Sequence, residues 1–104
     1  MEPQVVDHPE KSRYEILAGD DGTETAGFAD YRLSEGEIAF IHTEIDPRFA
    51  GRGLGGLLAR GALDDARARG LNVLPHCPFI RAWIGKHPEY AELVTEARRA
   101  HFGL

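Results

Sequence analysis

Ile45-Asp46-Pro47-Arg48-Phe49-Ala50-Gly51-Arg52-Gly53-Leu54-Gly55-Gly56 is where the character of this sequence changes. On its N-terminal side, side chains alternate with the period of two that marks β-strands. On its C-terminal side, Leu58, Ala59, Ala62, Leu63 and Ala66 recur at helical spacing, and Gly70 is placed to stop the helix. Pro47 ends the strand, because it lacks the N–H that a ladder needs. Gly51, Gly53 and Gly55 then alternate straight into the helix. Glycines let backbone N–H groups approach a ligand closely, and the helix dipole favours negative charge there. The segment therefore reads as a strand, an anion-binding loop and a helix, with close helix–sheet packing as the other use for its glycines. A dinucleotide fingerprint fits poorly, since it needs a parallel βαβ unit and an acidic residue about 20 positions on. A P-loop is excluded because no Gly-Lys-Ser/Thr follows.

Working outward, the N-terminal half reads as antiparallel hairpins. Ser12 to Ala18 alternates as a strand, and Gly19-Asp20-Asp21-Gly22 is strong turn chemistry. Thr23 to Leu33 returns, with Thr25, Gly27, Ala29, Tyr31 and Leu33 on one face. After the turn at Ser34-Glu35-Gly36, Glu37 to Asp46 forms a third strand. Strict alternation puts Ile38, Phe40, His42 and Glu44 on one face and Ala39, Ile41, Thr43 and Ile45 on the other. Beyond the helix, Leu71 to Cys77 is a short apolar strand broken by Pro75. Pro78 fits the first turn of a second helix, from Phe79 to about Lys86, with Phe79, Trp83 and Ile84 in its core face. Pro88 begins a last helix whose apolar stripe is Tyr90, Leu93, Val94 and Ala97. The order is three strands, helix, strand, helix, helix, an α/β (α+β) domain with a mixed, mainly antiparallel sheet flanked by helices.

At 104 residues the chain has room for one domain over 1–104, with a core over about 10–95. Its 42% hydrophobic and 28% charged residues are a globular mixture. The single cysteine excludes an internal disulfide framework and favours a reducing cytoplasm. No apolar run approaches a membrane span, and Met1-Glu2-Pro3-Gln4 does not begin a signal peptide. The net charge of −5 is unevenly spread: 12 acids and 3 bases up to Asp46 give −9, and 9 bases and 5 acids from Arg48 onward give +4. That split reads either as solvated surface or as a basic half that holds an anion and an acidic half that faces a cation. With a pI near 5.5 the chain lacks the broad basic footprint of a nucleic-acid binder.

The glycine loop resembles that of the GCN5-related N-acetyltransferases, in which a strand leads into an Arg/Gln-x-x-Gly-x-Gly/Ala loop that holds coenzyme A. Further blocks extend the likeness to the very small YjdJ-type branch over roughly residues 10 to 95. They are His42-Thr43-Glu44, Asp64-Asp65-Ala66-Arg67-Ala68-Arg69-Gly70, Pro75-His76-Cys77-Pro78-Phe79 and His87-Pro88-Glu89-Tyr90. The resemblance implies that the backbone of Thr43, Glu44 and Ile45 pairs with the pantetheine arm of acetyl-CoA. It also implies that Gly51, Arg52, Gly53, Leu54, Gly55 and Gly56 present amides to the pyrophosphate, with Arg52 adding a charge-assisted contact. Two positions depart from the family pattern. The first Arg/Gln of the loop falls on Ala50, leaving Arg48 to supply charge from a shifted position. Trp83-Ile84 stands near the place of the tyrosine that serves many relatives as general acid. The helices that most relatives insert between their first two strands have no room in the gap from Gly19 to Gly22, which implies a shallow, open acceptor site.

Acetyl transfer needs a neutral amine, a polarised thioester carbonyl and a proton for the departing thiolate. Glu44, beside the expected cofactor arm, is the candidate base, directly or through water; its alternative is a solvated strand-end carboxylate. His42 assists Glu44 or is structural. Cys77 lies where the superfamily's strands splay around the cofactor, so it can protonate the thiolate or accept the acetyl group itself. Its other reading is a small buried hydrophobe. His42, His76, Cys77 and His87 lack structural-zinc spacing, so no metal is expected. The expectation is an acetyl-CoA-dependent N-acetyltransferase acting on a primary amine of a protein, peptide or small molecule. A non-catalytic coenzyme A-binding or sensing module, or an interaction domain in which the loop is only packing, are the rivals.

Overall fold

Strand order in space follows strand order in the chain. A computed structural model, which describes residues 2–104, contains β1 (Gln4–His8), β2 (Arg13–Ala18), β3 (Glu24–Ser34), β4 (Glu37–Ile45) and β5 (Asn72–Pro75). They form one sheet in the order β1-β2-β3-β4-β5. The first three pairings are antiparallel; β4 and β5 are parallel, because α1 (Leu54–Ala68) carries the chain back between them. Two more helices follow, α2 (Pro78–Lys86) and α3 (Glu96–Phe102). Among the described residues no helix is long and apolar enough to cross a membrane.

The core lies between one sheet face and α1. Tyr14, Ile16, Ala29, Tyr31, Ile38, Phe40 and Val73 meet Leu58, Ala62, Leu63 and Ala66, the helical stripe anticipated from spacing. Adjacent aspartates on α1 fasten it in two directions. The Tyr14 hydroxyl donates to Asp65 at 2.5 Å, and the Tyr90 hydroxyl donates to Asp64 at 2.7 Å. Tyr31 donates to Asp7 at 2.6 Å, and Arg69 stands 3.5 Å from both Asp7 and Asp65. Burial first, and then the hydrogen-bonded carboxylates, push the Tyr14 and Tyr31 hydroxyls far above their ordinary pKa. Tyr90 thus acts as an anchor between α1 and the segment that follows α2.

Several expectations need correcting. The sheet begins one strand earlier than expected, with β1, so the core reaches back to Val5, which packs against α1 opposite Gly61. The gap between the first two strands is therefore at residues 9–12, not Gly19 to Gly22. It holds one 3-10 turn, Pro9–Lys11, and no α-helix. The last strand is shorter than Leu71 to Cys77. The single helix expected from Pro88 is two pieces, a 3-10 turn over Pro88–Leu93 and then α3, separated at Val94 and Thr95. Tyr90, Leu93 and Val94 are buried as anticipated, but Ala97 is exposed because the break resets the helical phase. Phe79 is 42% exposed, whereas Trp83 and Ile84 are core.

The largest correction concerns the faces of β4. Asp30 pairs with His42, but Tyr31 pairs with Phe40, so Ile41 has no partner and forms a bulge. One extra residue inverts the alternation beyond it. Thr43 and Ile45, opposite Ala29 and Gly27, join Ile38 and Phe40 on the helix-covered face, while His42 and Glu44 turn to the opposite face with Asp30 and Phe28. A second irregularity, between Ile16 and Leu17, leaves Ala26 unpaired in β3. There Gly27, Ala29 and Tyr31 stay inward, while Thr25 and Leu33 are exposed.

Candidate functional site

The glycine loop enters α1 through two residues in the left-handed region, Gly51 at φ 79° and Gly53 at φ 73°. Other residues adopt that conformation at a cost of roughly 1–2 kcal/mol. A Cβ at either position would meet nothing within 4 Å, so it is the backbone conformation that asks for glycine there. Gly53 caps the helix without a side chain, and the first helical bond is Leu57 N–H to Gly53 C=O at 3.3 Å. The amides of Leu54, Gly55 and Gly56 accordingly have no acceptor inside the helix. Gly55 serves a different purpose, close packing, whereas a Cβ on Gly56 would make an ordinary contact. A Cβ on Gly55 would stand 2.8 Å from Phe79 Cζ, and one on Gly56 would stand 3.5 Å from Trp83 Nε1. Two demands thus fall on different glycines, left-handed backbone at Gly51 and Gly53 and close packing at Gly55.

The two arginines of the loop part company. Arg48 stands 3.2 Å from Asp46 and 3.7 Å from Glu24, so its charge is directed to the strand ends. The Arg48 backbone N–H and then its guanidinium hold Asp46 below the usual carboxylate range. Arg52 is exposed, lies 5.2 Å from the centroid of the Phe49 ring and makes no ion pair among the described residues. Of the two, Arg52 is available to an anion at the loop.

Beside the loop, β4 and β5 separate. Their pairing ends at Phe40 and Pro75, where the Cys77 N–H donates to the Phe40 carbonyl at 2.8 Å. From Ile41 to Ile45 the edge of β4 that faces away from β3 has no strand partner among the described residues. At the root of this opening the Cys77 thiol donates to Thr43 Oγ1 at 3.3 Å. Cys77 is only 2% exposed and stands at the N-cap position of α2. Open loop amides and an unpaired strand edge fit a long ligand with an anionic middle and an extended amide-bearing arm, the chemistry of coenzyme A.

On the other face of β4, His42 Nε2 lies 3.5 Å from Glu44 Oε1, and both side chains are more than half exposed. Glu44 borders a cleft of about 520 Å³ whose lining also includes Arg13, Gly27, Phe28, Ile45 and Asp46. Close approach of β3 to β4 asks for glycine at position 27: a Cβ there would stand 2.5 Å from both the Glu44 carbonyl oxygen and Ile45 Cδ1. Arg13 lies over the Phe28 ring at 4.7 Å and is bound to Glu15 at 2.8 Å through Nε. Glu15 is 3% exposed and also has His8 at 3.2 Å and Lys11 at 3.8 Å. Burial pushes its pKa up, but the hydrogen bond and charge of Arg13, with His8 and Lys11, outweigh that and leave it below the ordinary value.

The fold thus brings Glu44 to His42 and Cys77 to Thr43, and sets the two pairs on opposite faces of one strand. Sequence reading missed Arg13, Phe28 and Asp46 as cleft residues. Nothing in their local pattern distinguishes them, because the cleft exists only where β3 and β4 end together. Trp83 is a packing residue. It is stacked on His87 at 3.8 Å, set edge to face with Tyr90 at 4.9 Å, and has Arg60 at 5.3 Å from its ring.

Comparison with known proteins agrees with this geometry. A family model described as GCN5-related N-acetyl-transferase matches residues 13–93. The match runs from the first residue of β2 to the end of the 3-10 turn before α3, and includes the glycine loop, the opening of β4 and the cleft. A search of curated proteins finds no match. Family membership supports acetyl transfer as the class of activity. The match covers most of the sequence, and the chain belongs to the GCN5-related N-acetyltransferases.

Proposed function

We propose that this protein moves an acetyl group from acetyl-CoA to a primary amine. The observation that carries the reading is the adjacency of open amides at the start of α1 to an unpaired edge of β4 whose opposite face presents Glu44 to a cleft. Gly51, Gly53, Leu54, Gly55 and Gly56, with Arg52, hold the pyrophosphate. The backbone of Thr43, Glu44 and Ile45 holds the extended arm as an added strand would be held. Acetyl-CoA supplies an activated acyl group and a thiolate leaving group. Glu44, directly or through one water, takes the proton from the acceptor ammonium, and His42 steadies the carboxylate. As the C–N bond forms and the C–S bond breaks, the nitrogen releases its second proton to solvent, and Cys77 gives its proton to the departing sulfur and regains one from solvent. In a variant of this path, the Cys77 sulfur first takes the acetyl group and then passes it to the amine.

The cleft has no helix between β1 and β2 to roof it, so it suits an amine carried on a protein, peptide or polyamine. A second reading is a coenzyme A-binding module without turnover, favoured by the lack of a clear match to the tyrosine acid of many relatives, with Trp83-Ile84 near its place. Thermal melts with coenzyme A test the shared part: binding to the native state must raise Tm. No shift at millimolar ligand overturns both readings. Thiol release across an amine panel separates them, with Glu44→Gln and Cys77→Ala beside wild type. Turnover unchanged in both variants overturns the catalytic roles. Mass spectrometry after incubation with acetyl-CoA tests the covalent variant: an acetyl group on Cys77 is expected there and not in the direct path.

A further inference from the structure

We propose that a pocket between β5 and α3 is a second binding site, for a small organic anion with an apolar body, such as an aryl carboxylate. The pocket has a volume of about 320 Å³ and is lined by Leu74, His76, Arg98, His101 and Phe102. This is within the range of about 300–1,000 Å³ usual for small-molecule sites. Three of its five lining residues lie beyond residue 93, outside the span shared with the family.

Its chemistry is one-sided. The polar groups are a guanidinium and two imidazoles, and no carboxylate lines it. Glu37 accepts one hydrogen bond from Arg98 Nη1 at 2.5 Å, so the Nε and second Nη donors of Arg98 have no protein acceptor among the described residues. Neither the His76 nor the His101 imidazole has a hydrogen-bond partner in the protein among those residues. Both imidazoles are nevertheless held in place, edge to face against Phe102 at 5.3 Å and 4.9 Å. Phe102 is 6% exposed and Leu74 is packed against the core, which makes a fixed apolar floor under three outward donors.

The class of ligand follows. A planar carboxylate matches the free fork of Arg98, and a ring or branched chain on it covers Leu74 and Phe102. Bare phosphate satisfies the donors but leaves the floor wet. A metal ion lacks a donor set, since among the described residues no group of three or more His, Cys, Asp or Glu stands together to hold one.

Benzoate, titrated into the full chain with NMR detection of the histidine ring signals, tests the proposal. Saturable binding is expected, with His76 and His101 signals moving on one isotherm and a dissociation constant of about 1 mM or below. Arg98→Met should weaken benzoate by about tenfold, the loss expected for a charge-assisted hydrogen bond. His101→Ala, which breaks no protein hydrogen bond, should weaken it by a few-fold while the melt stays unchanged. Coenzyme A should neither compete nor move these signals, which keeps the outcome separate from the acetyl-transfer reading. Non-saturable shifts, equal affinity for inorganic phosphate, displacement by coenzyme A, or wild-type affinity in both variants would each overturn the site.

Discussion

Of the two carboxylates that line the cleft, Asp46 is engaged by Arg48, while Glu44 faces only His42. A base must be free to take a proton, and Glu44 has that freedom. Glu44→Gln should therefore lower kcat/KM for amine acceptors by about 100-fold or more, the lower end of what general base catalysis contributes. Coenzyme A affinity, read by thermal shift, should stay within about twofold, because the proposed contact of that ligand is with the strand's backbone. Glu15 makes the opposite case, a carboxylate with no freedom. Its folded pKa lies below the unfolded value, so its contribution to stability is present above an unfolded pKa of about 4.3 and is lost as pH falls through the folded value. Urea melts between pH 7 and pH 3 should show wild type losing stability faster than Glu15→Gln at the acid end. At pH 7 the variant should be less stable by about 1–3 kcal/mol, the usual worth of hydrogen bonds to a charged group. If the two curves stay parallel, the cluster around Glu15 is only a solvated surface group.

At the scale of elements, the loop's glycines separate into kinds that substitution can distinguish. Gly53→Ala meets no atom but must keep φ near +73°, so it should cost about 1–2 kcal/mol and loosen the amide cradle for coenzyme A. Gly27→Ala forces a Cβ against the Glu44 carbonyl, a backbone atom that cannot swing aside. It should cost about 1–3 kcal/mol through overpacking, read by urea melts. A melt equal to that of wild type would mean that β3 and β4 move apart without cost. These elements also mark how far the sequence is legible. The strand–loop–helix at residues 45–56 is plain, because proline, alternating glycines and a new hydrophobic period coincide there. The bulge at Ile41 is not, since Ile38 to Ile45 reads as unbroken alternation and the extra residue is visible only in the pairing with β3. β1 escaped notice because Gln4-Val5-Val6-Asp7-His8 lacks clear alternation, and its inward residues, Val5 and Asp7, are defined by contacts with α1 and Tyr31.

Across the whole molecule, the uneven charge along the chain does not become two charged lobes. Arg48 pairs with Glu24 and Asp46, Arg69 with Asp7, and Arg98 with Glu37, so the basic half is laced to the acidic half. An acidic half that draws in cations was a fair expectation from composition, and folding cancels much of it. What bears on the site is local: by the loop Arg52 makes no ion pair among the described residues, and in the cleft Glu44 has His42 beside it, against a net charge of −5. Surface pairs of this kind contribute at most about 1 kcal/mol each, and salt screens charges beyond about 10 Å at 0.1 M. Long-range steering of a polyamine should therefore be weak, while short-range contact with Glu44 persists. Measured between 50 mM and 500 mM salt, kcat/KM for a diamine should change by about threefold or less, whereas steering by a coherent field would lower it by tenfold or more. A steep fall would mean that the acidic strands act together on the acceptor, and the cleft's selectivity would then belong to the field of the sheet and not to one carboxylate.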